Sequence, residues 1–252
     1  MPSLSVLVPV YNEIRSVSLI LDQLASKQIK GLEKQVIVIE SNSTDGTRAV
    51  VERYRDVPGF ELVFEDRPQG KGHALRAGLA HADGDIILIQ DADLEYSLDD
   101  YDALLAPIIS GKSDFVLGTR HVEGQVHMRK FSRDNHVAWV FNLAHWAFTA
   151  VLNVTLGTRM TDPFTMFKVF RRNCLNGISL ECNRFDLDWE IVIKFIRAGY
   201  IPLEVPVSYK SRDYEEGKKI NVLRDPTTWF RAWWKFAFLP IFNRRPRCNG
   251  RR

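Results

Sequence analysis

Cysteine is scarce in this sequence, and the pattern of the few that occur excludes two structural uses of the residue. There are three, at positions 174, 182 and 248, and no two of them form a CxxC pair. An odd number without such pairs predicts neither a disulfide framework nor a zinc site. We therefore expect a protein of a reducing compartment.

Long apolar runs and strong net charge are missing as well. No uncharged apolar run reaches the length of about 18 residues that a membrane span needs. The start, MPSLSVLVPVYNE, has no basic residues before its apolar run, which disfavours a signal peptide. The formal net charge is +3, and the basic tail NRRPRCNGRR has no accompanying nucleic-acid-binding motif. These absences predict no nucleic-acid partner, and any membrane contact is expected to be peripheral.

What is present is a regular alternation of strand and helix patterns in the first half. Apolar runs at 4–10, 35–40, 60–65, 85–90 and 114–119 predict strands, and the stretches at about 14–29, 45–55, 71–82 and 98–110 predict helices. This alternation predicts an α/β fold with a mostly parallel sheet and helices on both faces.

Polar clusters follow the first four predicted strands. They are YNE, SNSTDGT, RPQGKG and DADLE, in chain order. Ligands on open parallel sheets bind beyond the carboxyl ends of the strands. The four loops together therefore predict a binding site at one edge of the sheet.

The second half is less regular, and we place the division near residue 120. Helices are predicted at 131–154 and 186–200, strands at 162–172 and 201–209, and a charged loop at 214–220. Near the C-terminus, WFRAWWKFAFLPIF combines many aromatic residues with flanking cations.

Three carboxylates follow the predicted strand 85–90 without a break, at Asp91, Asp93 and Glu95. They would share one face if the extended chain continued through them, because side chains of a strand alternate between its faces. Like charges on one face repel unless a cation joins them, and carboxylate oxygens suit Mg²⁺ or Mn²⁺. A metal ion that also bridges phosphate oxygens is the functional interpretation, and a solvated acidic loop is the simpler alternative.

The loop RPQGKG has groups suited to phosphate without matching a common nucleotide motif. It is neither GxxxxGK[ST] nor GxGxxG, which disfavours a nucleoside triphosphatase and a dinucleotide-dependent oxidoreductase. Arg67 and Lys71 are candidates for neutralising a diphosphate, against the alternative that each is an ordinary surface charge.

An ordered set of motifs resembles family 2 glycosyltransferases of the GT-A fold, particularly the dolichol-phosphate mannosyltransferase-like branch. The motifs extend over roughly residues 4–225 and read VPVYNE, STDGT, GKGHALRAGLAHADGDIILIQDADLEY, GTR, FSR, FDLDWE and SRDYEEGKKI. The resemblance implies transfer of a sugar from a GDP- or UDP-sugar with inversion at the anomeric carbon, commonly to a polyisoprenyl phosphate. It also implies Mg²⁺ or Mn²⁺ as cofactor.

The same resemblance implies roles for individual residues. Nucleotide-sugar binding is implied for Pro9, Tyr11, Glu13, Glu40, Ser41, Asp45, Lys71, Asp91, Ala92 and Asp93, and metal binding for Asp91, Asp93 and Glu95. Catalytic roles are implied for Asp91, Asp93 and Asp162, and for the cations expected at the acceptor phosphate and over the donor, Arg120, Arg133, Arg212, Lys218 and Lys219. The chain departs from the family pattern at Glu40 and Ser41, where paired aspartates are usual, and at Met166, where a small glycine is usual.

The chemistry of the acceptor decides whether the reaction needs a base. A phosphate is already ionised near neutral pH, whereas a hydroxyl must lose its proton to a carboxylate, for which Asp162, Asp188 and Glu190 are the candidates. A hydroxyl of a glycan or lipid is the alternative acceptor. An alternative of another class is a catalytically silent member that binds nucleotide at a membrane, which the intact acidic motif and the late basic loop disfavour.

The expected organisation is one GT-A domain followed by a short extension. The domain covers 1–225, with a nucleotide-sugar half at about 1–120 and an acceptor half at about 121–225, and the amphipathic, basic extension covers 226–252. Aromatic residues flanked by cations suit a helix at a bilayer interface, while core packing or an oligomer interface is the alternative. We expect peripheral attachment at the cytoplasmic face of a membrane.

Overall fold

The computed structural model describes residues 2–121, 135–211 and 225–240. Seven strands occur in these ranges: β1 (Ser3–Val10), β2 (Glu33–Glu40), β3 (Phe60–Phe64), β4 (Ile86–Ile89), β5 (Phe115–Thr119), β6 (Lys168–Arg171) and β7 (Leu203–Pro206). The α-helices of the same ranges are α1 (Val17–Ser26), α2 (Thr47–Val51), α3 (Lys71–Leu79), α4 (Tyr101–Ile109), α5 (Asn135–Leu156), α6 (Leu187–Arg197) and α7 (Asp225–Phe238).

The strands form one sheet in the order β3-β2-β1-β4-β6-β5-β7. Neighbouring strands are parallel except at β6, which is antiparallel to both β4 and β5. The carboxyl ends of the parallel strands and the amino end of β6 therefore lie along one edge. The predicted α/β fold with a mostly parallel sheet is confirmed.

Two hydrophobic cores cover the two faces of the sheet. Val6 and Val8 of β1 belong to the core that contains α1 and α4, and Leu7 between them belongs to the core that contains α3 and α6. Successive side chains of a strand point to opposite faces. The central strands are apolar at consecutive positions because both faces are covered.

The C-terminal helix α7 packs into the second core. Ala232 and Phe236 are buried there. The Arg197 guanidinium of α6 donates hydrogen bonds to the carbonyl oxygens of Phe236 and Leu239, both at 2.5 Å. The expected boundary between domain and extension, at residues 225 and 226, falls in the first turn of α7, whose later residues pack on the domain. Within the described ranges, every helix is too short or too polar to serve as a membrane span.

Candidate active site

The acidic motif after β4 forms a turn. Residues 92–95 leave the extended conformation, and Leu94 has a left-handed φ of 61°. Asp93 Oδ1 accepts a hydrogen bond from the Glu95 backbone N–H at 3.1 Å, which is a common way for Asp to stabilise a turn. The three carboxylates were expected to share one face only if the chain stayed extended through them. The turn shows that it does not.

The three carboxylates have different partners. Asp91 forms an ion pair with Lys71, and Glu95 accepts a hydrogen bond from the Tyr209 hydroxyl at 3.0 Å. In residues 2–121, 135–211 and 225–240, no group of three or more His, Cys, Asp or Glu side chains is arranged to hold a metal ion. The expected set of three metal ligands is therefore not assembled as one group, although Asp91, Asp93 and Glu95 all line the same pocket.

Lys71 brings positive charge to this pocket at the first residue of α3. Burial opposes the charged form, but Asp91, Asp188 and Asp93 outweigh it and raise the pKa of the Lys71 ammonium above its ordinary value. Gly70 precedes it with φ 105°, and a Cβ there would overlap the carbonyl oxygen of Asn183. The glycine therefore allows the loop to approach the 182–184 segment closely.

The loops after β1 and β2 are joined by hydrogen bonds. The backbone N–H of Thr44 donates to Asn12 Oδ1 at 2.8 Å. Asp45 accepts from the Thr47 hydroxyl at 2.6 Å and from the Ile14 N–H at 3.2 Å. Glu40 is fully buried and accepts from the Ser43 N–H at 2.7 Å. Glu40 and Asp45 thus shape these loops, and neither is among the residues that line the pocket.

Ser41 reaches the pocket and is held from behind by Glu65. The Ser41 hydroxyl donates to Glu65 Oε2 at 2.5 Å, and the other carboxylate oxygen of Glu65 contacts His73 Nδ1. Because the hydroxyl hydrogen is used by Glu65, the lone pairs of Ser41 Oγ are available to accept a hydrogen bond from a ligand.

Arg120 follows β5 and is bound to Asp162 in a fork geometry. Arg120 Nε and Nη2 each lie 2.7 Å from a different oxygen of the carboxylate, and the Arg120 N–H donates at 3.0 Å. The two side chains are 6% and 0% exposed. Burial would raise the pKa of Asp162, but the Arg120 guanidinium dominates and holds it well below its ordinary value. Asp162 is therefore an anchor for Arg120 and a poor proton acceptor.

The other two base candidates differ in position. Asp188 lines the pocket and pairs with the fully buried Lys168 at 2.8 Å. Burial raises the pKa of Asp188 in spite of this partner. Glu190 is fully buried, pairs with Lys194 at 2.6 Å and accepts from the Cys182 N–H at 2.8 Å. Of these two, only Asp188 borders the space where a substrate would bind.

The pocket has a volume of about 390 Å³ and lies at the edge predicted for ligands. It brings together ten of the residues implied by the resemblance: Pro9, Tyr11, Glu13, Ser41, Lys71, Asp91, Ala92, Asp93, Glu95 and Arg120. Asp162 lies behind Arg120, and Arg67 is exposed away from the lining. The four remaining candidates fall outside the described residues: Arg133, Arg212, Lys218 and Lys219.

An aromatic wall forms another part of the pocket, and sequence reasoning did not find it. We use this name for Phe148, Phe164, Trp189 and Trp229, all of which line the pocket. The centroid of the Trp189 ring lies 4.6 Å from the ring centroid of Phe164, 5.4 Å from that of Phe148 and 6.5 Å from that of Trp229. These residues come from α5, the loop before β6, α6 and α7. No spacing in the sequence relates them, because tertiary packing alone brings them together.

A family model described as Glycosyl transferase family 2 matches residues 5–178 of the chain. The chain is similar to the undecaprenyl-phosphate 4-deoxy-4-formamido-L-arabinose transferase of Enterobacter sp. (strain 638), with 27% identity over 233 residues. That alignment covers 89% of this chain and 66% of the relative. The chain is also similar to the glycosyltransferase AglD of Haloferax volcanii, with 24% identity over 255 residues, 96% of this chain and 38% of the relative. It thus spans about two thirds or less of the length of these curated relatives.

Among solved structures, the chain resembles glucosyl-3-phosphoglycerate synthase from Mycobacterium tuberculosis in complex with Mn²⁺, uridine diphosphate and phosphoglyceric acid. The TM-score is 0.68 with 19% identity, and the match covers 95% of this chain and 80% of that one. A second structure of that synthase, in complex with Mg²⁺ and uridine diphosphate, gives a TM-score of 0.68 with 20% identity and the same coverage. At such identities the likeness concerns the fold.

Proposed function

The chain belongs to glycosyl transferase family 2, and from this premise we propose that it transfers a sugar from a nucleoside diphosphate sugar to the phosphate of a lipid-linked acceptor, with inversion at the anomeric carbon. The observation that supports this most is the composition of the pocket. Acidic residues of the β4 turn and Lys71 line one part of it, and the aromatic wall lines another. A substrate that combines charge with an apolar chain suits such a lining.

The donor assignment rests on the groups at the strand ends. The Ser41 hydroxyl and the Lys71 ammonium line the pocket, and Lys71 opens α3, whose first backbone N–H groups favour anions. The relative from Enterobacter acts on undecaprenyl phosphate by its name, and the synthase structures contain uridine diphosphate. The uridine diphosphate of the synthase structures supports a UDP-sugar donor, and a GDP-sugar belongs to the proposal on the sequence resemblance alone.

The donor set also suits a divalent cation. Asp91 and Asp93 place carboxylates along the pocket, with Glu95 beside them, and Asp91 already attracts the Lys71 ammonium. Hard carboxylate oxygens are the ligands that Mg²⁺ and Mn²⁺ prefer. When bound, such an ion acts as a Lewis acid that stabilises negative charge on the diphosphate leaving group. Asp91 and Asp93 would hold it.

The acceptor phosphate requires cations and no base. Arg120 lines the pocket, and Asp162 holds its guanidinium in a fixed orientation. We assign the remaining contacts to residues outside the described ranges, Arg133, Arg212, Lys218 and Lys219. An ionised phosphate oxygen can attack the anomeric carbon directly, so the residues around it bind and orient the acceptor and need not move a proton.

We propose attachment at the cytoplasmic face of a membrane, and the exposed side chains of α7 support the membrane contact. Trp229 of α7 belongs to the aromatic wall, and Phe230, Trp234 and Phe238 of the same helix are 57%, 59% and 54% exposed. Such a helix inserts its aromatic side chains at the headgroup boundary. The pocket wall and the exposed face share one helix, so a lipid phosphate could reach the site from the bilayer surface.

The test is product formation from defined substrates. The protein is incubated with UDP- and GDP-sugars, Mg²⁺ or Mn²⁺, and polyprenyl phosphate, and the products are identified by mass spectrometry. A glycosyl phosphate of the polyprenol that forms with metal and disappears in EDTA is the expected result. Transfer that proceeds only to hydroxyl groups, or unchanged in EDTA, contradicts the proposal.

A hydroxyl acceptor is the second candidate, because Asp188 borders the pocket with a raised pKa. Asp188→Asn alone would leave the buried Lys168 unpaired, so the variant to test is Lys168→Met/Asp188→Asn. Loss of a general base lowers transfer by about 10²–10⁴-fold, and with a hydroxyl acceptor the wild-type rate falls as the pH drops through the pKa of Asp188. A folded double variant that stays within about tenfold of wild type supports the phosphate acceptor.

A further inference from the structure

The ion pair between Lys71 and Asp91 lies inside the pocket. The side chains of Lys71 and Asp91 are 18% and 13% exposed. Water screens a pair in this position less than it screens a pair on the surface. Each charge therefore has a strong influence on what can bind beside the other.

Carboxylates surround the Lys71 ammonium. Asp188 and Asp93 act on it electrostatically in addition to Asp91. Lys168 forms an ion pair with Asp188 at 2.8 Å and neutralises its charge. The charge of Lys71 therefore chiefly neutralises Asp91. A second cation placed on the Asp91 carboxylate would lie against the ammonium and be repelled by it.

The backbone of Lys71 has little freedom to move away. A Cβ at Gly72 would lie 2.6 Å from the carbonyl oxygen of Cys182, which shows how closely the two segments approach. The His73 N–H donates to the carbonyl oxygen of Asn183 at 3.1 Å. Separation of Lys71 from Asp91 is therefore expected from rotation of side chains and not from movement of the α3 backbone.

We propose that Lys71 competes with a divalent cation for Asp91 and thereby makes the metal and the nucleoside diphosphate bind as a pair. The inference rests on the proposed function. A diphosphate offers the ammonium anionic oxygens in place of Asp91, and the released Asp91 carboxylate would then be available to hold the metal. Each ligand then tightens the binding of the other, and by linkage the two factors are equal.

The experiment measures Mn²⁺ binding by electron paramagnetic resonance, with and without UDP or GDP. Wild type is compared with Lys71→Met, which keeps an unbranched side chain, one atom shorter, and removes its charge. Lys71→Met should bind Mn²⁺ alone about tenfold more tightly than wild type, and the tightening by nucleotide should shrink by about the same factor. Lys112→Met, at an exposed lysine, should behave as wild type. Lys71→Gln serves as the second variant if Lys71→Met fails to fold.

The outcomes separate this inference from the function on which it rests. If wild type binds Mn²⁺ with nucleotide but the folded variants bind Mn²⁺ alone no more tightly than wild type, competition at Asp91 is overturned and the donor site stands. If wild type binds no Mn²⁺ with either nucleotide, the metal-dependent function and the competition fail together. Tighter binding of Mn²⁺ alone by the variants, with a smaller nucleotide effect, supports the competition.

Discussion

Aspartates of the same chain differ in their use because their immediate partners differ. Asp91 faces a lysine inside the pocket, Asp162 is enclosed by an arginine, and Asp45 accepts hydrogen bonds within a loop. Burial and partner set whether a carboxylate stays charged and whether its oxygens can reach a ligand. At the scale of the residue, the chemistry of the site follows from these partners.

Asp93 should be essential for transfer and dispensable for folding. Asp93→Asn removes a negative charge from the pocket lining and, because we propose that Asp93 holds the metal, should lower turnover by about a thousandfold, which is about 4 kcal/mol of transition-state stabilisation. Initial rates of transfer, with thermal unfolding to verify the fold, measure the effect. Asp102→Asn, at an exposed position of α4, should keep wild-type activity. A folded Asp93→Asn variant with normal turnover would remove Asp93 from the site.

At the scale of the element, the start of α3 depends on a close approach between two backbone segments. Gly70 and Gly111 both have positive φ, 105° and 72°, but a Cβ at Gly111 would meet nothing within 4 Å. Both substitutions have a conformational cost, which is high at Gly70 because its φ of 105° and ψ of 161° lie in a region essentially limited to glycine, and only Gly70→Ala adds an overlap with Asn183. We expect Gly70→Ala to lower the free energy of unfolding in urea by about 1–3 kcal/mol more than Gly111→Ala does.

The same comparison tests the donor site. Gly70→Ala moves the loop that carries Lys71 and should raise the KM for the nucleotide sugar, whereas Gly111→Ala should leave that KM unchanged. If the two variants lose the same free energy of unfolding, a Cβ at position 70 does not overlap Asn183, and the two backbone segments lie farther apart than described.

Helix α7 should bind membranes through its exposed face and stabilise the fold through its buried face. Replacing Phe230, Trp234 and Phe238 by Ser should lower binding to anionic vesicles by about tenfold or more, since even one such side chain gains roughly 1.5–3 kcal/mol when it leaves water. Co-sedimentation measures this, and the thermal midpoint should change little because the three side chains are exposed.

The matched control for α7 is Leu19→Ser/Ile109→Ser. Leu19 and Ile109 are also exposed apolar residues, 52% and 50%, but they lie on α1 and α4, which cover the other face of the sheet. If this control weakens vesicle binding as much as the α7 variant does, the binding is not specific to α7.

At the scale of the whole molecule, the ion pair between Asp162 and Arg120 makes the stability of the fold at low pH depend on a residue of the candidate active site. The Asp162 N–H donates to Glu204 of β7 at 2.7 Å, so the pair joins the ends of β5 and β7. The folded-state pKa of Asp162 is depressed. The contribution of its carboxylate to the free energy of unfolding is therefore fully present above the unfolded-state pKa of about 3.9, and it is lost as the pH falls through the folded-state pKa.

The expected loss on breaking this pair is large. Asp162→Asn leaves Arg120 buried without a countercharge, and should lower the free energy of unfolding at pH 7 by about 3–5 kcal/mol. The difference from wild type should shrink as the pH drops below about 4. Urea unfolding from pH 7 to pH 3 measures it, with the exposed Asp56→Asn as control. A difference that stays constant over this range would rule out the coupling.

The fold class and the edge of the site could be predicted from the sequence because they depend on local patterns. Apolar runs alternating with amphipathic stretches predicted the parallel sheet, and the polar clusters after the strands predicted where Tyr11, Ser41, Lys71 and Asp91 meet. Strand periodicity could not predict the turn at Leu94, because the left-handed conformation of a single residue leaves no periodic signal.

The sequence by itself determined which chemical groups this protein carries to the edge of its sheet, since each group follows directly from a strand with a recognisable pattern. Only the tertiary structure decided which of them pair with each other. Asp162 is held by Arg120 and Asp91 by Lys71, across 42 and 20 positions of sequence. The aromatic wall depends on packing in the same way. Helices α5, α6 and α7 each have apolar side chains to bury, but the sequence of one helix does not specify which other helix will cover them. Partner choice is a property of distances in space, which a linear pattern does not contain.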